Sequence, residues 1–171
     1  MRVKDLIKGV EVSEFNVLLK HVRPSDSYGG IKVPEITTWR YCDVIDFVSD
    51  GTVSGIAAKV LKCTEEELME MPGKGFLSLL KHLKNEADKI GKLEDQLKSD
   101  PDPDLMSAGI EKLNPFGVMT VYYSISSDPR DWDEISELPY NKLWTRLMID
   151  KINKEVQKEY DRIMQWKTKN K

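Results

Sequence analysis

Apolar residues recur at every third or fourth position along most of the chain, which is the spacing of amphipathic α-helices. The longest such run covers residues 75–98, where the apolar positions are Phe76, Leu79, Leu80, Leu83, Ala87, Ile90, Leu93 and Leu97. A second run follows Pro139, and we interpret its apolar residues as one side of a helix: Leu143, Leu147, Ile152, Val156, Tyr160 and Ile163. The pattern predicts a long helix over 75–98 and a long C-terminal helix.

Helix-capping residues predict shorter helices before the first long one. Thr64 and Glu67 form a capping-box pattern, in which each side chain satisfies a backbone N–H at the start of the helix. Thr37 or Thr38 is placed to begin an earlier helix.

A further set of short elements is predicted between the two long helices. The segment 105–113 has the pattern of one short helix, and Asn114-Pro115 and Asp128-Pro129 each look like an N-cap followed by a first-turn proline. Residues 118–125 are ambiguous, because their β-branched and aromatic content suits a strand while the flanking caps favour a helix. We predict a helix there. The resulting fold class is all-α, with seven or eight helices in two packed clusters.

The segment 99–104, Ser-Asp-Pro-Asp-Pro-Asp, interrupts the helical pattern completely. Alternating prolines force extended conformations on the residues before them, so we predict an acidic, proline-rich linker. The predicted organisation is an N-terminal arm or short helix and loop over 1–35, a helical domain over 36–98, and a C-terminal helical domain over 105–171.

Charge is distributed unevenly along the chain. The 171 residues carry a net charge of −3, with 40% hydrophobic and 32% charged residues. Residues 140–171 hold nine Lys/Arg and four Asp/Glu, a net +5, which leaves −8 on residues 1–139. The net negative charge of the whole chain argues against nucleic-acid binding. The segregated charge indicates an interaction surface, with a solvated basic helix face as the alternative.

The residues that usually carry chemistry do not form a recognisable catalytic pattern. Cys42 and Cys63 have neither disulfide nor zinc-site spacing, and neither His21 nor His82 accompanies a nucleophile motif. We therefore expect no enzymatic activity, no cofactor and no metal. No segment resembles a signal peptide or a membrane span, so we expect a protein without membrane contact in the cytoplasm.

One acidic cluster partly matches a calcium-binding loop. Asp100, Asp102 and Asp104 alternate, and Glu111 lies at the spacing of the bidentate glutamate. Leu105 occupies the position that such a loop reserves for glycine, and prolines stiffen the segment. We interpret the cluster as an acidic linker, with calcium binding as the alternative.

Two parts of the sequence resemble the tail assembly chaperones and other small helical proteins of tailed bacteriophages. The first is Pro-Glu-Ile-Thr-Thr-Trp-Arg-Tyr-Cys-Asp-Val from residue 34, followed by an Ile-Ala-rich helix and Thr-Glu-Glu-Glu-Leu from residue 64. The second is Ser-Asp-Pro-Arg-Asp-Trp-Asp-Glu-Ile from residue 127, with Leu-Pro-Tyr at 138–140 and Leu-Trp-Thr-Arg-Leu at 143–147. The likeness covers residues 34–95 and 115–160.

The resemblance implies a non-enzymatic helper in virion assembly that acts in the host cytoplasm. Its partners would be other phage virion proteins, and we expect a homo-oligomer or hetero-assembly. The residues expected to contact partners are Trp132, Tyr140, Trp144, Arg146 and Trp166, with Phe76 and Leu80 as groove or oligomer positions. Ordinary core packing is the alternative for each. The alternative functions are a permanent structural component of the particle, such as a connector, ring or internal cargo protein, and a small enzyme or regulator.

Overall fold

The all-α prediction is confirmed by the computed structural model, which describes residues 2–7, 17, 19–49, 53–99 and 103–169. Nine α-helices are bounded within these residues, more than the seven or eight predicted. They are α1 (Val3–Ile7), α2 (Tyr41–Ser49), α3 (Val53–Leu61), α4 (Glu65–Glu70), α5 (Phe76–Leu97), α6 (Pro103–Ala108), α7 (Met119–Ile125), α8 (Trp132–Glu137) and α9 (Tyr140–Lys169). Short 3-10 helices cover Ile36–Thr38, Ile110–Phe116 and Pro129–Asp131, and a small hairpin pairs β1 (Ser27–Tyr28) with β2 (Ile31–Lys32).

The chain divides into two compact units, Met1–Gly91 and Lys92–Lys171. The division falls inside α5, before the predicted linker at 99–104. Residues 100–102 of that linker lie outside the described part of the chain. The division into helical domains over 36–98 and 105–171 stays a prediction. Across the described residues, no helix is long and apolar enough to cross a membrane.

The core of the first unit is built on the part of α5 that this unit contains. Phe76, Leu79, Leu83 and Ile90 are buried, as the three- and four-residue spacing predicts for one helix face. Smaller helices supply the facing apolar side chains, which include Val44, Phe47, Ala57, Leu61 and Leu68.

The N-terminal residues of the first unit pack against α4. The backbone N–H of Val3 donates to the carbonyl of Met71 at 3.0 Å, and the Val3 side chain is fully buried. Arg2 and Lys4 both form ion pairs with Glu70. The helix α1 therefore belongs to the first unit, whereas residues 13–16 and 18 of the segment 13–22, where a short helix is predicted from the sequence, lie outside the described residues.

Three predictions from capping residues are confirmed. The Thr64 hydroxyl accepts from the Glu67 backbone while Glu67 accepts from the Thr64 backbone, so the capping box is complete. Asp128 accepts from the Arg130 N–H at the start of the helix that contains Pro129. Residues 119–125 form a helix, not a strand.

The predicted helix start at Thr37 or Thr38 is wrong. The chain instead makes the 3-10 helix Ile36–Thr38, and α2 begins at Tyr41. The Thr38 hydroxyl donates back to the carbonyl of Glu35 at 2.7 Å, which satisfies the turn and leaves no cap for a following helix.

Two predictions between residues 105 and 118 are also wrong, for one reason. Gly109 has a φ of 87° and ends α6, so 105–113 is not a single helix. Pro115 lies inside the following 3-10 helix, which ends at Gly117 with a φ of 47°. Asn114 is therefore not an N-cap, because glycine rather than proline divides this segment.

Candidate functional site

The first three turns of α9 are fixed to the end of α5, within the second unit. The Tyr140 hydroxyl donates to Glu94 Oε1 at 2.5 Å, and the Trp144 indole N–H donates to the carbonyl of Leu93 at 2.9 Å. The Lys151 ammonium donates to the carbonyls of Gln96 at 2.8 Å and Lys98 at 2.7 Å. A cation at these final carbonyls complements the helix dipole, so Lys151 caps α5.

The residues of α9 that follow this anchored part are all exposed, from Ile152 to Lys169. At a rise of about 1.5 Å per residue, this exposed part is roughly 27 Å long. It holds most of the basic charge of the C-terminal segment. The prediction that the apolar residues of α9 lie on a single side of the helix is wrong. The step of five residues from Leu147 to Ile152 rotates the side-chain direction by about 140° around the helix axis.

The second apolar face of α9, here called the terminal stripe, consists of Ile149, Ile152, Val156, Tyr160 and Ile163. Their exposed fractions range from 42% for Ile163 to 63% for Val156. The spacing of three and four residues keeps the five side chains within an arc of about 80°. Lys151 and Trp144, which contact α5, lie on the opposite side of the helix. The terminal stripe therefore faces away from the end of α5.

A second group of exposed apolar side chains, here called the 105–123 surface, lies on α6, α7 and the 3-10 helix between them. Phe116 and Tyr123 are 60% and 63% exposed. The other members are at least 40% exposed: Leu105, Met106, Ile110, Leu113 and Met119. Single exposed apolar residues are ordinary on protein surfaces, but a concentration of seven within one short segment is typical of an interaction site.

Three of the predicted partner-contact residues are buried. Phe76 and Tyr140 are fully buried, and Leu80 is nearly so. Phe76 makes an edge-to-face contact with Tyr28, with ring centroids 5.8 Å apart. The alternative of core packing describes these three residues in this structure, and contact with a partner would require the fold to open.

The other predicted residues differ in exposure. Trp132 is half-buried, its indole N–H donates to the carbonyl of Ser126 at 3.1 Å, and its ring lies 6.4 Å from that of Tyr122. Trp144 is half-buried at the end of α5. Arg146 is exposed and forms an ion pair with Asp150 at 3.2 Å. Trp166 is 66% exposed, beside the terminal stripe.

The 105–123 surface was missed by the sequence analysis. Its segment was predicted only as short helices, with no statement that its apolar side chains are exposed. A usable signal was present, since Gly109 and Gly117 break the segment into pieces too short to form a continuous buried face. Met106 and Met119 also fit an adaptable surface, because methionine side chains are flexible and polarisable.

Two ionisable side chains of the first unit, Cys63 and Tyr28, have raised pKa values. Burial raises the pKa of the Cys63 thiol, and the nearby Glu67 carboxylate raises it further, whereas a nucleophilic cysteine needs a lowered pKa. Burial also raises the pKa of the Tyr28 hydroxyl, which donates to the carbonyl of Pro72. The Nε2 atom of His82 is buried without a hydrogen-bond partner among the described residues.

The one buried charged residue among those described is Glu86, which is 3% exposed. Its Oε2 accepts from the backbone N–H of Ile36 at 3.4 Å, and its Oε1 pairs with Lys89. The first contact fixes the 3-10 helix Ile36–Thr38 to α5, and the second lies within α5. We therefore interpret Glu86 as a structural carboxylate.

No cluster of three or more potential ligands for a metal ion occurs within the described ranges. Asp100 and Asp102 of the calcium-loop alternative lie outside those ranges. Asp104 lies in the first turn of α6, where its charge complements the helix dipole.

Comparisons with known proteins place the chain in no family. No protein-family model, no curated protein and no solved structure matches it.

Proposed function

We propose that this chain is a non-enzymatic bacteriophage protein that binds other virion proteins during tail assembly, as a tail assembly chaperone does, in the host cytoplasm. The 105–123 surface carries the proposal, because it presents seven apolar side chains to solvent on a protein that is otherwise rich in charge. An assembly chaperone needs such a surface to cover apolar regions of a tail protein before that protein assembles.

Two further features support this proposal. The resemblance to tail assembly chaperones covers residues 34–95 and 115–160, which includes α7 and most of α9. The methionines Met106 and Met119 allow one surface to adapt to partners of different shape.

Co-expression with the major tail protein of the phage tests the proposal. The wild-type chain should increase the soluble fraction of the tail protein, and the double variant Leu113→Ser/Phe116→Ser should not. Leu113 and Phe116 are 52% and 60% exposed, so their replacement should leave the fold intact, which circular dichroism can verify.

The matched control is Glu111→Ser/Lys112→Ser, which changes two exposed residues of the same segment without changing the net charge. This control should behave as the wild type does. A wild-type chain that leaves the solubility and assembly of the tail protein unchanged would contradict the proposal.

Mass spectrometry of purified particles distinguishes the chaperone from a permanent structural component. A chaperone is present in infected cells and depleted from mature particles. High abundance in mature particles would favour a connector, ring or internal cargo protein instead.

A further inference from the structure

Most of the terminal stripe lies on a helix segment that the rest of its own unit does not bury. Every residue from Ile152 to Lys169 is exposed, yet α9 continues through all of them. Most helical stability in proteins comes from packing of an apolar face against another surface. A partner that covers the terminal stripe would supply that packing.

The stripe fits the heptad pattern of paired helices. With Ile149 at an a position, the remaining a positions are Val156 and Ile163, and the d positions are Ile152, Glu159 and Trp166. The positions that flank this seam hold Glu155 and Arg162 on one side and Arg146, Asn153, Tyr160 and Lys167 on the other.

A parallel pair of these helices would bring like charges together. The two Glu159 carboxylates would face each other at a d position inside the seam. Arg162 of each copy would lie opposite Lys167 of the other. Like-charge contacts across a helix pair oppose association, so the sequence disfavours parallel pairing.

An antiparallel pair brings opposite charges together instead. Glu155 of each copy lies opposite Arg162 of the second copy, and the two-fold symmetry creates this contact twice. The seam layers then join Ile152 with Ile163, Ile149 with Trp166, and Val156 with Glu159. The two Glu159 carboxylates therefore lie in different layers, and each already accepts a hydrogen bond from Arg162 of its own chain at 2.7 Å.

We propose that the terminal stripe binds the terminal stripe of a second copy of this chain in an antiparallel homodimer. The choice of a second copy rests on the charge complementarity of Glu155 and Arg162. The remaining like-charge contact, between Arg146 and Lys167, lies at the outer ends of the pair, where salt screens it.

The dimer does not depend on a role in virion assembly, because no virion protein takes part in it. It leaves the 105–123 surface available on each copy. Loss of the dimer and loss of tail-protein binding are therefore separately measurable, the first by mass and the second by co-expression.

Sedimentation equilibrium of the full chain at micromolar concentration, with reductant present to keep Cys42 and Cys63 free, tests the dimer. The wild type should have twice the mass of the 19.7-kDa chain. Val156→Glu places a charge in the seam and should give a monomer. The control Lys154→Glu introduces the same side chain on the other side of α9 and should stay dimeric.

A charge exchange tests the antiparallel arrangement itself. Glu155→Arg and Arg162→Glu should each weaken the dimer about tenfold in dissociation constant, because each places like charges in both flanking contacts. An equal mixture of the two variants should restore a dimer of wild-type affinity, since each Arg then meets a Glu on the other chain.

Restoration in the mixture is specific to the antiparallel pair, because residues 155 and 162 do not meet in the parallel one. Circular dichroism of Glu155→Arg and Arg162→Glu, at concentrations above their dissociation constants, should show the helix content of the wild type. A wild type that stays monomeric, or a mixture that is no tighter than the single variants, would overturn the proposal.

Discussion

The indole N–H of Trp144 donates to the backbone carbonyl of Leu93 at 2.9 Å, which connects the first turns of α9 to the end of α5. Tyr140 and Lys151 bond the same end of α5 from one turn before and two turns after Trp144. These three contacts fix where α9 begins, while the exposed remainder of the helix carries the terminal stripe. The second unit therefore combines an anchored helix base with exposed apolar faces.

The first prediction concerns this anchor. Trp144→Phe removes the bond to Leu93 but keeps an aromatic ring, and it should lower the free energy of unfolding by about 1 kcal/mol. Denaturant unfolding followed by circular dichroism measures the change. Tyr123→Phe is the control, because Tyr123 is 63% exposed and lies outside the proposed dimer seam, and it should change stability by less than about 0.5 kcal/mol. Equal losses in the two variants would show that the Leu93 contact does not stabilise the unit.

The second prediction concerns the buried carboxylate in the first unit. Glu86→Ala leaves the Ile36 N–H without its acceptor and should cost about 1–3 kcal/mol of stability. Glu86→Gln retains an acceptor oxygen and should cost less. Lys89→Met removes only the exposed partner of the Glu86 ion pair and should change the free energy of unfolding by about 1 kcal/mol at most. Thermal unfolding of the three variants measures these changes. Equal destabilisation by Glu86→Ala and Glu86→Gln would contradict the assignment of Glu86 as a structural carboxylate.

The third prediction is a pH dependence. The Arg40 guanidinium donates to both oxygens of Asp43 and lowers the pKa of that carboxyl, against the opposing effect of partial burial. Because the folded pKa lies below the ordinary value of about 3.9, the charged carboxylate stabilises the fold above that pH. This contribution is lost as the pH falls through the folded pKa.

Asp43→Asn should therefore be less stable than the wild type near neutral pH. Since Arg40 is half-exposed, the difference should be about 1 kcal/mol or less. Urea titrations at a series of pH values should show the difference shrinking once Asp43 is protonated. A difference that stays constant down to acid pH would mean that the Arg40 contact does not act through the charge of Asp43.

The long elements could be predicted from sequence because their signals are local and repeated. The apolar period of α5 continues for six turns, and the observed helix differs from the predicted one by a single residue at each end. The capping box at Thr64 is equally local, since both of its partners lie within four residues. Such features need no knowledge of the tertiary structure.

The candidate surfaces could not be predicted in the same way, because exposure depends on distant residues. Tyr140 is buried because it meets Glu94, 46 residues earlier in the chain. Phe116 has the same aromatic character and is 60% exposed, because Gly109 and Gly117 interrupt the helical segment around it. Apolar spacing shows that a face exists, but not what covers it.

Hydrogen–deuterium exchange on the chain alone and with the major tail protein of the phage tests most directly whether the 105–123 surface binds that protein. We predict slower amide exchange across Pro103–Ile125 when the tail protein is present, with the Leu113→Ser/Phe116→Ser variant showing no such change. Binding that leaves this segment unchanged, or that slows exchange only within Met1–Gly91, would contradict the account.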